Sequence, residues 1–338
     1  MKYIDLRSDT VTKPTPAMLA AMMSAEVGDD VFADDPTTIR LEAICAELLG
    51  KEASLFVPSG TFSNQLALFT HCRQGEEVIL DHNAHIVQHE SGASAVIAGV
   101  QLFMLAGKNG IWDLNDLKRA IKVQSVSTTR TALISIENAF GGSVLPLEYM
   151  RKVFEIAKER NLPVHLDGAR IFNAATALNC DVRELAKYAD SVSVCLSKGL
   201  ASPIGTMLVG TKDFIEAARF KRKLMGGGMR QTGILAACGI ISLERMSKRL
   251  QEDHDNAAYM AELLRRIPGV RIDEAQRAIN MVFFDVDNEK KHGLEQFLFI
   301  NGVKILPYEG AFRFVTHNDL DREAIARAIG LVREYFCG

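Results

Sequence analysis

An α/β fold with a mostly parallel sheet, followed by a small α+β unit, is what the sequence predicts. Three observations point there. Short apolar runs recur between positions 53 and 209, and helical patterns separate many of them. That alternation builds parallel sheets covered on both faces. From 231 to about 266 the pattern is helical without a strand, as in a passage between two units. Beyond it a strand, a helix, a second strand and a last helix follow.

Thr15 caps a helix with Pro16 at its first position, continuing over 17–26 before Gly28. Asp35-Pro36 repeats the signal, and that helix stops at Gly50. Strands are expected over 53–57, 77–80, 101–105, 132–136, 163–166, 191–196 and 206–209. Helical periodicity marks 147–160 and 182–188. In the last third, strands are expected over 280–286 and 311–315, with helices over 294–301 and 320–336. The expected organisation is an N-terminal arm (1–14), a large unit (15–245) and a small unit (246–338).

Composition excludes some classes. The chain has 338 residues, 48% hydrophobic and 24% charged, with net charge −3. Nothing basic enough for nucleic acid or an acidic membrane surface appears. Met1-Lys2-Tyr3-Ile4-Asp5 carries charges where a signal peptide needs an apolar run. No uncharged apolar stretch reaches the roughly 18 residues of a spanning helix. The six cysteines are scattered without a C-x-x-C pair, so reduced thiols and a cytoplasmic location are expected.

Ligands of open α/β sheets bind beyond the carboxyl ends of strands, so reactive residues there are the candidates. Asp167 ends an apolar strand in His-Leu-Asp-Gly-Ala-Arg170; a plain helix cap is the bland reading. Lys198 follows another strand in Cys-Leu-Ser-Lys-Gly, where a surface loop lysine is the alternative. Ser59, Gly60 and Thr61 open an apolar helix, as a cap or as a phosphate cup on free N–H groups. Together a phosphate cup, a carboxylate and a lysine are the parts a pyridoxal 5'-phosphate site needs. The phosphate anchors the cofactor, the carboxylate keeps a proton on the pyridine nitrogen, and the lysine forms the Schiff base.

Asp81-His82-Asn-Ala-His85 with His89 and Glu90 admits two readings. His85 lies flat on a pyridine ring, or His85 and His89, four apart on a helix, hold a metal with Glu90. A metal leaves Lys198 unexplained, so none is expected. Arg170 is placed to reach a ring hydroxyl of the cofactor. Lys223 and Arg230 flank three glycines, in a flexible basic loop or beside a phosphate. Arg313 alternates with apolar neighbours on a strand, suiting either an exposed edge or a substrate carboxylate.

These segments resemble the low-specificity L-threonine aldolases, within the aspartate-aminotransferase-like (fold type I) pyridoxal-phosphate enzymes. The likeness runs from Asp5-Leu-Arg-Ser8-Asp9 through Pro58-Ser-Gly-Thr61, Asp167-Gly-Ala-Arg170, Ser-Lys198-Gly and Gly226-Gly-Gly-Met-Arg230 to Arg313-Phe-Val-Thr-His317. It implies a transferase-like large domain and retro-aldol cleavage of a 3-hydroxy amino acid to glycine and an aldehyde. It implies that Lys198 carries the cofactor, Asp167 pairs with its nitrogen, Arg170 with its ring oxygen, and His85 stacks on it. Gly60 and Thr61 would hold the phosphate, with Arg230 from a neighbouring subunit. Ser8 and Arg313 would bind the substrate carboxylate. A homotetramer with active sites at the dimer interface is implied as well. His85 is nominated as the base for the β-hydroxyl proton. The chain departs from the family where Phe140 replaces a histidine, and where Gln124-Ser125-Val-Ser127 lacks another. Both changes fall where the substrate side chain is handled. β-Elimination on the same cofactor and a metal-dependent hydrolase using His82, His85, His89 and Glu90 are the rival activities.

Overall fold

A computed structural model describes residues 3–287, 289–308 and 310–338. Met1 and Lys2 of the expected arm, and Asn288 and Glu309 of the expected small unit, lie outside the described residues. Chain order begins with a two-residue strand, β1 (Ile4–Asp5). The central sheet uses β2 (Ala53–Val57), β3 (Glu77–Asp81), β4 (Gln101–Leu105), β5 (Thr131–Glu137), β6 (Val164–Asp167), β7 (Ser191–Cys195) and β8 (Thr206–Gly210). Its order is β2-β8-β7-β6-β5-β3-β4. Strands β3 to β7 pair in parallel, each reached through a crossover. β8 runs antiparallel to both β7 and β2. No helix lies between β7 and β8, so the chain turns back beside the strand it has just left. β3 and β7 are buried at every position, so their central apolar residues face helices on both sides and even Glu77, Asp81, Ser191 and Ser193 are inside.

Helices cover both faces. Leu147–Glu159 shows why such segments are helical: Met150, Val153, Ile156 and Ala157 repeat at three- and four-residue spacing and are buried on one stripe. Each large apolar side chain removed from water there contributes about 1.5–3 kcal/mol.

A second sheet, order β12-β13-β10-β9, is antiparallel: β9 (Val270–Ile272), β10 (Met281–Val286), β12 (Leu306–Tyr308) and β13 (Ala311–Val315). It has its own apolar core against helices Leu250–Arg265 and Arg322–Cys337. The N-terminal residues belong to this core. β1 pairs in parallel with β11 (Val303–Lys304), and Leu6 is fully buried in it.

Two boundaries differ from expectation. The first helix, Pro16–Met23, ends at Ser24 rather than running to 26; Ser24 turns its hydroxyl back onto the Ala20 carbonyl. The helical stretch 231–266 is two helices, Gly233–Glu244 and Leu250–Arg265, separated by a single tight turn at Met246–Lys248. Leu250 packs into the first core and Met260 and Leu264 into the second, so the break lets one helix change partners. His85 and His89 do stand one turn apart: helix His85–Gln88 is capped by the His89 N–H, which donates to the His85 carbonyl at 2.8 Å, and the two ring centroids are 5.5 Å apart.

Candidate active site

The carboxyl ends of β5, β6 and β7 bring the chemistry together. Glu137 and Asp167 are paired across β5 and β6, and Asp167 is paired with Ser193 on β7. Lys198 follows three residues after β7 ends. Its positive charge helps to hold the Asp9 carboxylate below the usual carboxylate range. Helix Gly60–His71 points its N-terminus at the same edge. Ser59 caps it by accepting the Phe62 N–H at 3.2 Å. The next turn carries Ser63, bonded to Ser193, and Asn64, bonded to Asp167.

Asp167 is buried, and its carboxylate accepts from the Ala169 N–H at 3.1 Å and the Asn64 amide at 2.7 Å. The same Asn64 nitrogen donates to Glu90 at 2.9 Å, and Glu90 accepts from His85 Nδ1 at 2.9 Å. Gln65 holds the other oxygen of Glu90 at 2.6 Å. The Glu90 hydrogen bond raises the His85 pKa above the ordinary histidine value, against the pull of burial. Glu137 accepts the His85 backbone N–H at 2.9 Å. Burial, reinforced by the neighbouring Asp167 charge, pushes its pKa up to about 7.

The opposite wall is cationic. Arg170 Nε and Nη2 grip buried Asp9 at 2.7 and 2.5 Å, and Asn280 adds a third contact at 3.3 Å. Burial opposes ionisation of Asp9, but the Arg170 charge and hydrogen bonds prevail and hold it below the usual carboxylate range. Arg313 lies over the Tyr308 ring at 5.1 Å and donates Nη2 to the Arg7 carbonyl at 3.2 Å. Its Nε is buried without a protein partner. Ser8 caps the turn Asp9–Val11.

His85, Glu137, Phe140, Arg170, Tyr308 and Arg313 line one cleft of about 460 Å³. Asp167 sits beneath it, beside a small void shared with Glu137 and Phe140. Lys223 and Arg230 do not line that cleft: Lys223 is exposed, and Arg230 is held by Asp29 at 2.9 Å. Ser125 and Ser127 lie in an exposed loop, bonded to one another's neighbourhood rather than to the cleft. The four-residue metal reading does not assemble, since His82 turns Nδ1 toward the Leu105 carbonyl at 3.3 Å. Among the described residues His85, Glu90 and Asp167 do cluster with ligand atoms within 4.8 Å, but Asn64 already bridges the two carboxylates.

Sequence reasoning missed Asp9, Asn64, Glu137 and Tyr308 as site residues. Glu137 had a readable signal, an acid ending an otherwise apolar strand. Asn64 had none beyond its place one turn into the helix that follows the cup.

A family model described as beta-eliminating lyase matches residues 5–287. The low specificity L-threonine aldolase of Escherichia coli (strain K12) is 47% identical over 324 residues, covering 96% of each chain. The chain belongs to the low-specificity L-threonine aldolase family. Low-specificity L-threonine aldolase 1 of Arabidopsis thaliana is 44% identical, covering 95% of this chain and 92% of its own. Among solved structures, threonine aldolase from Leishmania major superposes with a TM-score of 0.85 at 20% identity, over 98% of this chain and 99% of that one, which speaks for the fold.

The residues present fit the pyridoxal phosphate that this family implies. A buried carboxylate and a lysine stand at neighbouring strand ends. A helix N-terminus free of side-chain bulk faces them, because a Cβ on Gly60 would lie 2.8 Å from Cys195 Sγ. Gly60→Ala forces the helix start to shift, an overpacking cost of about 1–3 kcal/mol. The apoenzyme is expected to bind pyridoxal phosphate roughly tenfold more weakly by fluorescence titration, within the range that cost allows; unchanged affinity would remove Gly60 from the cup.

Proposed function

We propose that this chain is a pyridoxal-phosphate-dependent carbon–carbon lyase. It cleaves L-threonine, L-allo-threonine or a related 3-hydroxy amino acid such as phenylserine to glycine and an aldehyde. One observation carries the reading: Asp167, buried at the end of β6, and Lys198, three residues past β7, stand at adjacent strand ends.

Bound pyridoxal phosphate supplies the electron sink that accepts the bonding pair when Cα–Cβ breaks. Lys198 would provide the amine that anchors it, Asp167 would keep the proton on its ring nitrogen, and Arg170 would hold its ring oxygen. Ser59, Gly60 and Thr61 present N–H groups to its phosphate. Arg230 and Lys223 of a second copy complete that anchor. Ser8 and Arg313 hold the substrate carboxylate, which aligns the scissile bond. His85 would lie against the bound ring and take the β-hydroxyl proton at Nε2, with Nδ1 kept on Glu90. Glu137 fixes the turn that carries His85.

The same reading extends to assembly and location. A homotetramer built from dimers, with sites at the dimer interface, would cover Phe32, Phe220 and Leu224, which are 73%, 75% and 67% exposed. We place the enzyme in the cytoplasm, on its six unpaired cysteines, and divide it after residue 245.

The test is direct. Purified with pyridoxal phosphate, the enzyme should show a long-wavelength band that borohydride removes, and should release acetaldehyde and glycine from L-threonine. Ammonia and 2-oxobutyrate instead would make it a β-eliminating enzyme. Arg313→Ala should raise KM about ten- to a hundredfold, the worth of a charged hydrogen-bonded contact. An unchanged KM would remove Arg313 from carboxylate binding.

A further inference from the structure

We propose that Asn64 and His165 are positioning residues for Asp167, the last links of a one-way chain of hydrogen-bond donors that keeps its carboxylate charged. The proposal rests on the reading of Asp167 as the partner of the cofactor's ring nitrogen. The chain lies beneath the sheet edge, outside the cleft, and four of its side chains are buried: Asn64, His165, Ser191 and Asp167.

Its direction follows from the inventory of hydrogens. The Asn64 nitrogen has two, and both are taken, by Asp167 Oδ2 at 2.7 Å and Glu90 Oε1 at 2.9 Å. The amide cannot be turned over, because its oxygen would then face two carboxylates. Asn64 Oδ1 therefore faces His165 Nε2 at 3.2 Å as an acceptor, and that nitrogen must carry the proton. Burial pushes His165 down to about 4, so the ring is neutral and Nδ1 has only a lone pair to offer. Ser191, 2.8 Å away, must point its hydroxyl hydrogen at it. The Ser191 oxygen is left to accept from His71 Nε2 at 2.8 Å. His71 is neutral for the same reason, brought down to about 3 by burial. Ser193 approaches His165 Nε2 only at 3.5 Å and is closer to Ser63, at 2.7 Å, so it is a side branch.

Every hydrogen thus points one way, from His71 through Ser191, His165 and Asn64 to Asp167. Hydrogen bonds in series polarise each other in a low-dielectric interior. An amide N–H neither ionises nor accepts, so a proton cannot settle on Asp167 at that contact. The carboxylate stays an acceptor, and a proton on the cofactor's ring nitrogen is stabilised there. Because Asn64 also holds Glu90, the carboxylate under the ring nitrogen and the one behind His85 are fixed in one frame.

Histidine-labelled holoenzyme tests this by solid-state nitrogen NMR, with His165→Gln and His71→Gln identifying the signals. Both rings should be neutral and protonated at Nε2. A His165 protonated at Nδ1, or on both nitrogens, overturns the chain without any variant. Asn64→Leu should weaken pyridoxal phosphate binding to the apoenzyme about ten- to a hundredfold and move the bound cofactor's ring-nitrogen signal toward the unprotonated position. Wild-type affinity and an unmoved signal would refute the positioning role. Asp167→Ala separates the two failures: if the ring nitrogen stays protonated without that carboxylate, the underlying reading of Asp167 falls, whatever the tautomers.

Discussion

Lys198→Ala is expected to reduce threonine cleavage to background, at least about a thousandfold below the native enzyme, because no other amine replaces a covalent anchor. The substitution should leave the fold intact. The backbone at Lys198 is held independently of its side chain, through its carbonyl, which accepts from the Ala201 N–H at 2.9 Å. The following Gly199 packs on Leu250, where a Cβ would come within 3.3 Å of Cδ2. The variant should therefore melt close to the native apoenzyme. Borohydride treatment followed by intact mass measurement should show a cofactor adduct on native protein and none on the variant. Near-normal kcat, or an adduct that persists, would take Lys198 out of its role and return attention to the cluster of His85, Glu90 and Asp167.

That Lys198 and Asp167 were readable, while much around them was not, has a physical cause. Strands buried on both faces carry few charges, so a charged residue at or just past the end of such a run stands out. β2, β4 and β13 fall where the apolar pattern puts them. Short strands leave no such trace: β1, β9, β11 and β12 hold two or three residues each, and their pairing is decided by packing of the second core. The reversal of β8 is likewise decided by packing, since the connection from Cys195 to Thr206 holds no helix. Site residues that act through long-range pairing were hidden for the same reason. Asn64 meets Glu90 and Asp167 from a helix, a loop and a strand. Arg170 is legible as a cation near a strand end, but its partner comes from the other end of the chain.

That partner gives the second large effect. Asp9→Ala should cost about 3–5 kcal/mol, because removing one member of a buried pair strands the other charge. Asp9 is fully buried, and Arg170 beside it keeps only 14% of its side chain in solvent. Asn280 on the approach to β10 and Arg170 after β6 both reach Asp9, so the carboxylate also ties the N-terminal residues to the rest. By calorimetry on the apoenzyme at neutral pH, Tm should fall by roughly 10 °C. The pH dependence has a definite sign. Asp9 is depressed in the folded state, so its contribution is present above the ordinary aspartate value of about 3.9 and is lost as pH falls toward the folded value. The gap in Tm between native and Asp9→Ala protein should be flat from about pH 8 to 5 and close progressively below that. Asp9→Asn keeps the shape but not the charge, and should fall between the two. A gap below about 1 kcal/mol, or one that widens on acidification, would mean that Arg170 finds another partner once Asp9 is gone. Arg170 released in that way would swing within the cleft, so KM for threonine should rise in the same variant that loses stability, and a loss of stability with unchanged KM would separate the anchoring of the N-terminal residues from the orientation of the site.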